Sequence, residues 1–328
     1  MNKILIIQTA SIGDVILSTP ILEKLQFYFP KAKIDFLLKK GNEALFNSHP
    51  FLHSVIIWDK TTRKYKNLFR LIKYIRSQKY DCVINIQRFT SSGLLTLLSS
   101  GNLKIGFNKN PLSLFFNHRI KHSIGSNIHE AERNLRLIEK ITDQAGFPMK
   151  LYPSQQNQAK VSQYKTVKYI TISPASIWFT KQFPEEKWVE FLSLIDQNLR
   201  IYFLGSTKDK EMCERIIGAA GNDNTMNLCG RLHFLESAAL MKDAQMNFVN
   251  DSAPLHLASS VNAPITAIFC STVPEFGFGP RSENSAIIQT SEILKCKPCG
   301  LHGFNKCPEK HFRCAKTIKV EKLLNRLE

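Results

Sequence analysis

Short, nearly unbroken apolar runs alternate along this chain with longer stretches whose apolar residues return every third or fourth position. The first pattern fits strands buried on both faces, and the second fits helices lying against them. In the first half the runs predict strands over 3–8, 33–38, 54–58, 81–87 and 104–107. Helices are predicted over 15–29, 67–77 and 130–144, and Gly146-Phe147-Pro148 brings the last to an end. The second half predicts strands over 168–173, 200–204, 246–250, 265–270 and 286–289, with helices at 185–196, 208–219, 235–242 and 254–260. Strands separated by helices predict parallel sheets.

A polar stretch rich in Gln, Ser and Lys, 154–163, interrupts this rhythm before it restarts. The expected fold is therefore α/β, with two Rossmann-like domains whose parallel sheets face across a cleft. The first domain spans 1–153 and a linker 154–165. The second domain spans 166–315, and a C-terminal helix, 316–328, is expected to pack back toward the first. A length of 328 residues suits two cores better than one, and 43% hydrophobic residues is ordinary for a globular protein.

The loops after parallel strands form the ligand edge of such sheets. The first of them, Ser11-Ile12-Gly13-Asp14-Val15, offers a lone carboxylate beside a glycine that admits a close neighbour. Asp14 suits a general base, and equally the N-cap of the following helix. A second loop, from Ser173 through Ala175, Thr180 and Lys181 to Pro184, combines small residues, hydroxyls and one cation. That mixture fits a phosphate. A third, Asn250-Asp251-Ser252-Ala253-Pro254-Leu255-His256, opens a helix, where Asp251 suits a sugar hydroxyl and the first amides suit an anion. His256 reads equally well as a packed core imidazole. Gly205-Ser206-Thr207 and Gly230-Arg231 are weaker strand-end candidates.

A net charge of +17 attracts polyanions without choosing among nucleic acid, an anionic membrane and a phosphorylated substrate. No Gly-x-Gly-x-x-Gly follows the first strand and no P-loop is present, which argues against dinucleotide oxidoreduction and P-loop hydrolysis. No Asp-x-Asp pair suggests a divalent ion on a pyrophosphate. The first residues lack a signal-peptide pattern, so the chain reads as unexported.

Together these segments resemble glycosyltransferase family 9, the lipopolysaccharide heptosyltransferases. The resemblance rests on Ser11-Ile12-Gly13-Asp14-Val15 with Ser18-Thr19-Pro20, on His129-Glu130-x-Glu132-Arg133-Asn134, on Lys181-x-Phe183-Pro184, and on Asn250-Asp251-Ser252-x-Pro254-x-His256-Leu257-Ala258. It implies a GT-B fold with an acceptor-binding first domain and a second domain holding a nucleotide-activated sugar, usually ADP-heptose. By that resemblance the enzyme is an inverting, metal-independent transferase with no cofactor required for catalysis, and Asp14 is the base. Ser173, Ala175, Thr180, Lys181, Gly205, Asp251, Ser252 and His256 would hold the donor. Read from their own positions, Gln87 and Arg88 at the end of the 81–87 strand, with Gly13 and Arg63, would meet a lipid-linked, phosphorylated acceptor at the inner face of the cytoplasmic membrane. The chain departs from the family at Pro174-Ala175-Ser176, where Pro-Gly-Ala is common, and at Ser206, where some members carry an acid.

Two features stand apart. Cys296, Cys299, Cys307 and Cys314, with His302 and His311 interleaved, suit either one structural zinc or free thiols in a compact loop. The 67–77 helix pairs an apolar stripe at Leu68, Leu71, Ile72 and Ile75 with Lys66, Arg70 and Lys73 on another face. This is the pattern of a basic amphipathic helix or of a sheet-covering helix with a solvated side. A sugar-nucleotide epimerase and a basic nucleic-acid binder are the alternative functions, and the scattered bases speak against the second.

Overall fold

The computed structural model describes residues 1–125 and 127–328, and divides into two compact units, Met1–Tyr152 and Pro153–Glu328. The first unit holds strands β1 (Lys3–Gln8), β2 (Lys33–Lys39), β3 (Leu52–Trp58), β4 (Cys82–Asn85), β5 (Leu103–Phe107) and β6 (His118–Ile120) in the order β3-β2-β1-β4-β5-β6. The second holds β7 (Tyr169–Ser173), β8 (Arg200–Phe203), β9 (Thr225–Asn227), β10 (Met246–Asn250), β11 (Ile265–Ile268) and β12 (Ser285–Ile288) in the order β12-β11-β10-β7-β8-β9. Every pairing is parallel. Both sheets follow the doubly wound dinucleotide-domain order. In each, winding reverses between two central strands, β1 and β4 in one and β7 and β10 in the other.

The central strands are buried along nearly their whole length, so they are mostly apolar, and the polar residues inside them, Thr171 and Asn247, bond to each other at 2.6 Å. β6 and β9 escaped the sequence reading. Each is three residues long, lies at a sheet edge and carries polar side chains. The expected 15–29 helix is two helices, Ile12–Ile16 and Thr19–Tyr28. Pro20 has no N–H to give to a preceding turn, and the Ser18 and Thr19 hydroxyls bond back to the carbonyls of Val15 and Ile16. The expected 130–144 helix ends at Leu135.

Two expectations about organisation change. The segment read as a linker, 154–165, is largely the helix Gln155–Val161, capped by Ser154, with Val161 buried. Lys160 pairs with Glu236 at 2.9 Å, so the segment belongs to the second unit's fold. The C-terminal helix, expected to return toward the first domain, has Val320 and Leu323 in the second unit's core beside Trp188, Phe191 and Phe248. Full burial of such side chains contributes about 1.5–3 kcal/mol each. In the first unit, Lys24 is fully buried. Its ammonium donates to the carbonyls of Asp143 and Ala145 at 2.7 and 2.8 Å and pairs with the Asp143 carboxylate at 2.9 Å.

Candidate functional site

In the first unit the reversal of winding places the loops after β1 and β4 side by side. Ser11 caps the Ile12–Ile16 helix and Asp14 is its third residue, so Asp14 completes the cap from inside the first turn and is not itself the N-cap. Asp14 Oδ2 accepts from the Ser11 N–H at 3.2 Å and from the Ser11 hydroxyl at 2.5 Å, and Gly13 beside it is buried. Gln8, the last residue of β1, donates from Nε2 to the Asp14 carbonyl at 3.3 Å. Gln8 Oε1 in turn accepts from Gln87 Nε2, beyond the end of β4. Gln87, expected as an acceptor contact, is thus turned inward and ties the two strand ends together, with its Oε1 unpaired among the described residues. Arg88 is exposed, its guanidinium 5.6 Å from the Phe89 ring centroid. Arg63 is exposed at the start of the Lys64–Ser77 helix with φ of 43°.

Lys60 is the residue that sequence reasoning missed here. Its ammonium donates to the Thr9 carbonyl at 2.9 Å and the Thr9 hydroxyl at 2.8 Å, and lies 4.5 Å from the Trp58 ring centroid. A cation is thereby fixed on the loop that carries Ser11 and Asp14. Burial, followed by the charges of Lys39 and Lys64, brings its pKa down to about 8. The only signal in the sequence was a lysine just past a strand, which is commonplace.

The His129–Asn134 motif builds this half from behind. Burial alone would raise the Glu130 carboxyl, but His122 and Arg133 hold it below the ordinary value. Asn134 Nδ2 donates to the Leu17 carbonyl at 3.1 Å, at the break between the helix that holds Asp14 and the Thr19–Tyr28 helix.

In the second unit the reversal of winding gathers the loops after β7 and β10. The buried Asn250 side chain staples them: Nδ2 donates to the Pro174 carbonyl at 2.6 Å and Oδ1 accepts from the Phe183 N–H at 3.0 Å. Both ends of the 174–183 loop are so fixed to the end of β10. Lys181 and Asp251 then meet, Nζ to Oδ2, at 2.7 Å. Their side chains are 14% and 7% exposed, enough burial for the contact to be weakly screened. Asp251 Oδ2 also accepts from the Thr272 hydroxyl at 2.6 Å. The Ser252 hydroxyl reaches the Ala175 carbonyl at 3.4 Å, and the Ser173 hydroxyl is buried without a partner among the described residues. His256 is buried in the Ala253–Ser259 helix.

Thr180 does not fit the phosphate-donor role expected of it. It is 1% exposed, and its hydroxyl accepts from the Phe304 N–H at 2.8 Å and from the Ser271 hydroxyl at 3.0 Å. Its own N–H donates to the Phe304 carbonyl at 3.1 Å. The cysteine-rich loop is thus stitched to the turn that carries Lys181. Gly303 makes the close approach possible. It has φ of +78°, and a Cβ there would meet Thr180 Oγ1 at 2.8 Å, Ser271 Oγ at 3.2 Å and Lys181 Cγ at 3.3 Å. Gly205 lies past β8, one strand from the reversal, where Ser206 and Asp209 repeat the Ser-x-x-Asp cap seen at Ser11 and Asp14.

The four tail cysteines sit in different local surroundings. Cys296 Sγ lies 3.9 Å from His311 Nε2, Cys299 donates to the Cys296 carbonyl, Cys307 accepts from the Phe312 N–H, and Cys314 is buried in the apolar core. Among the described residues no group of three or more His, Cys, Asp or Glu side chains is arranged for a metal ion, and all eight cysteines are free thiols.

Residues 68–305 match the family described as glycosyltransferase family 9 (heptosyltransferase). Lipopolysaccharide heptosyltransferase 3 of Escherichia coli is 27% identical over 282 residues, covering 79% of this chain and 81% of that protein. Among solved structures, a glycosyl transferase family 9 protein from Veillonella parvula DSM 2008 superposes with a TM-score of 0.86 at 19% identity, covering 99% and 96% of the two chains. The E. coli ADP-heptose lps heptosyltransferase II superposes with a TM-score of 0.79 at 20% identity, covering 99% and 97%. The two doubly wound sheets are those of the GT-B fold.

Proposed function

This chain belongs to glycosyltransferase family 9, and from that premise we propose that it transfers heptose, or a related sugar, from an ADP-activated donor to a lipid-linked lipopolysaccharide core acceptor. The observation that carries the reading is the Lys181–Asp251 pair, held at the point where the second sheet reverses its winding. A cation fixed at that edge suits a diphosphate, and the carboxylate beside it suits a hydroxyl of the donor. Membership in the family favours group transfer over the epimerase and nucleic-acid readings.

The reaction is inverting and needs no metal. Asp14 accepts the proton of the acceptor hydroxyl, whose oxygen forms the new bond to the anomeric carbon. The bond from that carbon to the diphosphate oxygen breaks on the opposite face, and the nucleoside diphosphate leaves with the electron pair. Lys181 meets the negative charge that develops there. Lys60, Arg63 and Arg88 supply positive charge for a phosphorylated acceptor, and the enzyme works peripherally at the inner face of the cytoplasmic membrane.

The test is a transfer assay with purified protein, ADP-heptose and a lipopolysaccharide core acceptor, run alongside thermal unfolding with a panel of sugar nucleotides. Acceptor-dependent release of ADP, and stabilisation by an ADP-sugar but not by NAD, are expected. Donor consumption that ignores the acceptor overturns the transfer reaction.

A further inference from the structure

The Lys64–Ser77 helix has a face that neither the sheet nor the proposed chemistry uses. Leu68 and Ile75 are buried, with Leu71 and Ile72 packed beside them against the first unit's core. That stripe accounts for one side. On the other, Tyr65 and Phe69 are each 72% exposed and Tyr74 is 43% exposed. Lys66, Arg70, Lys73 and Arg76 are exposed as well. At 3.6 residues per turn, Lys66, Arg70 and Lys73 form the outermost line. Tyr65 and Phe69 flank it on one side and Tyr74 on the other.

The charge around this face is of one sign. Residues 60–80 contain Lys60, Arg63, Lys64, Lys66, Arg70, Lys73, Arg76 and Lys79, and neither Asp nor Glu. The acids at the two borders are engaged elsewhere. Asp59 accepts from Lys40, Thr61 and Thr62, and Asp81 from the N–H groups of Asn2 and Lys3. Among the described residues, Lys66, Arg70 and Lys73 have no carboxylate within ion-pair distance. A helix that merely covers a sheet has no need of large rings on its solvent side. Rings alternating with long cations match the headgroup zone of a bilayer. There aromatic side chains settle among the headgroups and Lys and Arg extend to the phosphates.

We propose that the outward face formed by Tyr65, Lys66, Phe69, Arg70, Lys73 and Tyr74 docks this protein on an anionic lipid surface. The proposal rests on the reading of a lipid-linked acceptor for its setting, but it uses residues outside the proposed donor and acceptor contacts. The bases set the preference for anionic lipid, and the rings add binding that salt does not screen.

Co-sedimentation of the full chain with acceptor-free vesicles tests it. Vesicles of phosphatidylcholine mixed with phosphatidylglycerol are expected to bind the protein, and vesicles of phosphatidylcholine alone to bind it far less. The triple variant Lys66→Gln, Arg70→Gln, Lys73→Gln is expected to lose about 100-fold in partitioning, from roughly 1 kcal/mol per base. Phe69→Ser with Tyr65→Ser is expected to weaken binding about 10-fold or more while leaving its salt dependence in place. All five positions are exposed, so thermal unfolding should not move. A charge-matched control, Lys310→Gln, Lys316→Gln, Lys319→Gln, lies in the second unit and is expected to retain binding. Equal partitioning of wild type and the Lys66 triple variant overturns the proposal. Equal loss in the control reduces it to net charge, and tighter binding to a single-stranded oligonucleotide than to the vesicles replaces it with a nucleic-acid face. If transfer to a delipidated, soluble acceptor proceeds without vesicle binding, this inference fails and the proposed reaction stands. If vesicles bind and no sugar is transferred, the reverse holds.

Discussion

Lys181 Nζ and Asp251 Oδ2 stand 2.7 Å apart, each on the loop that follows one of the two strands between which the second sheet reverses its winding. Neither loop alone makes a site. Asn250 holds the 174–183 loop at both ends, so the ammonium is delivered to the carboxylate by backbone that is itself tied down. A donor diphosphate would draw the ammonium from a partner already oriented, with little ordering left to do.

Lys181→Ala is expected to reduce turnover by the amount typical of losing one charge-stabilising donor, roughly 2.7–4 kcal/mol. It also leaves the Asp251 carboxylate largely buried with Thr272 as its side-chain partner among the described residues, at a cost of about 3 kcal/mol in stability. The double variant Lys181→Met, Asp251→Asn should recover most of that stability without recovering donor binding. Kinetics and thermal unfolding of the three proteins separate the two effects. A Lys181→Ala enzyme with normal donor KM and kcat would remove the phosphate role.

Asp14→Asn keeps an oxygen for the Ser11 cap and loses the ability to take a proton. Turnover is expected to fall by about 10²–10⁴-fold while stabilisation by the donor nucleotide stays unchanged. Near-normal turnover would rule Asp14 out as the base.

At Gly303 a side chain is excluded twice, by a φ of +78° and by atoms of Thr180, Ser271 and Lys181 at 2.8–3.3 Å from any Cβ. Gly303→Ala is expected to cost about 1–2 kcal/mol in backbone strain. By displacing the Lys181 turn it should raise the donor KM about 10-fold or more. Donor titration followed by intrinsic fluorescence, with acceptor KM as the control, measures this. Equal changes in both constants would mean general loosening.

The ammonium of Lys60 has its pKa lowered to about 8, so it loses its charge as pH rises through that value. If it serves a phosphorylated acceptor, kcat/KM for acceptor should fall across the same range. Lys60→Arg stays charged there and should flatten the profile, whereas Lys60→Gln should lie about 10-fold below the wild-type value at neutral pH and meet it on the alkaline side. Identical alkaline limbs in wild type and Lys60→Arg would assign the titration to another group.

His49 packs among Phe46, Phe51 and Tyr152 with neither ring nitrogen paired among the described residues. Burial brings its pKa down to about 4 from the ordinary 6.5. Between those values the unfolded chain binds a proton that the folded one does not. Stability therefore rises with pH in that window and is lost as pH falls from 6.5 to about 4. With partial exposure discounted, the loss should be about 2 kcal/mol. His49→Phe should remove that part of the slope, seen in denaturant midpoints taken across the range.

Legibility differed by element. β1 and β10 were readable to the residue: Ile4–Ile7 is a short apolar run, and β10 is a short segment around Phe248 and Val249 that ends at the Asn-Asp-Ser turn into a helix. β6 and β9 were not, because an edge strand three residues long has no such run. Asp14 and Asp251 were singled out because one lies in the first turn of a helix and the other directly follows a strand, and Lys181 because it is the cation of a strand-end loop. Lys60, Gly303 and the inward turn of Thr180 were not, because a lysine, a glycine and a threonine in loops look the same whether or not something packs on them.

The chain's own order of residues determined the alternation of strands and helices, the loops at the ends of the central strands, and the family to which those loops belong. That information is carried by residues a few positions apart, whose spacing states which face is apolar. The tertiary structure decided which loops meet. It set Lys181 on Asp251, Lys60 on Thr9 and Gly303 against Thr180, and it turned Tyr65 and Phe69 outward beside the bases of their helix. Such contacts join residues far apart in the chain. They depend on the order in which strands assemble and on what the remaining faces of each helix find to cover them, which local spacing does not specify.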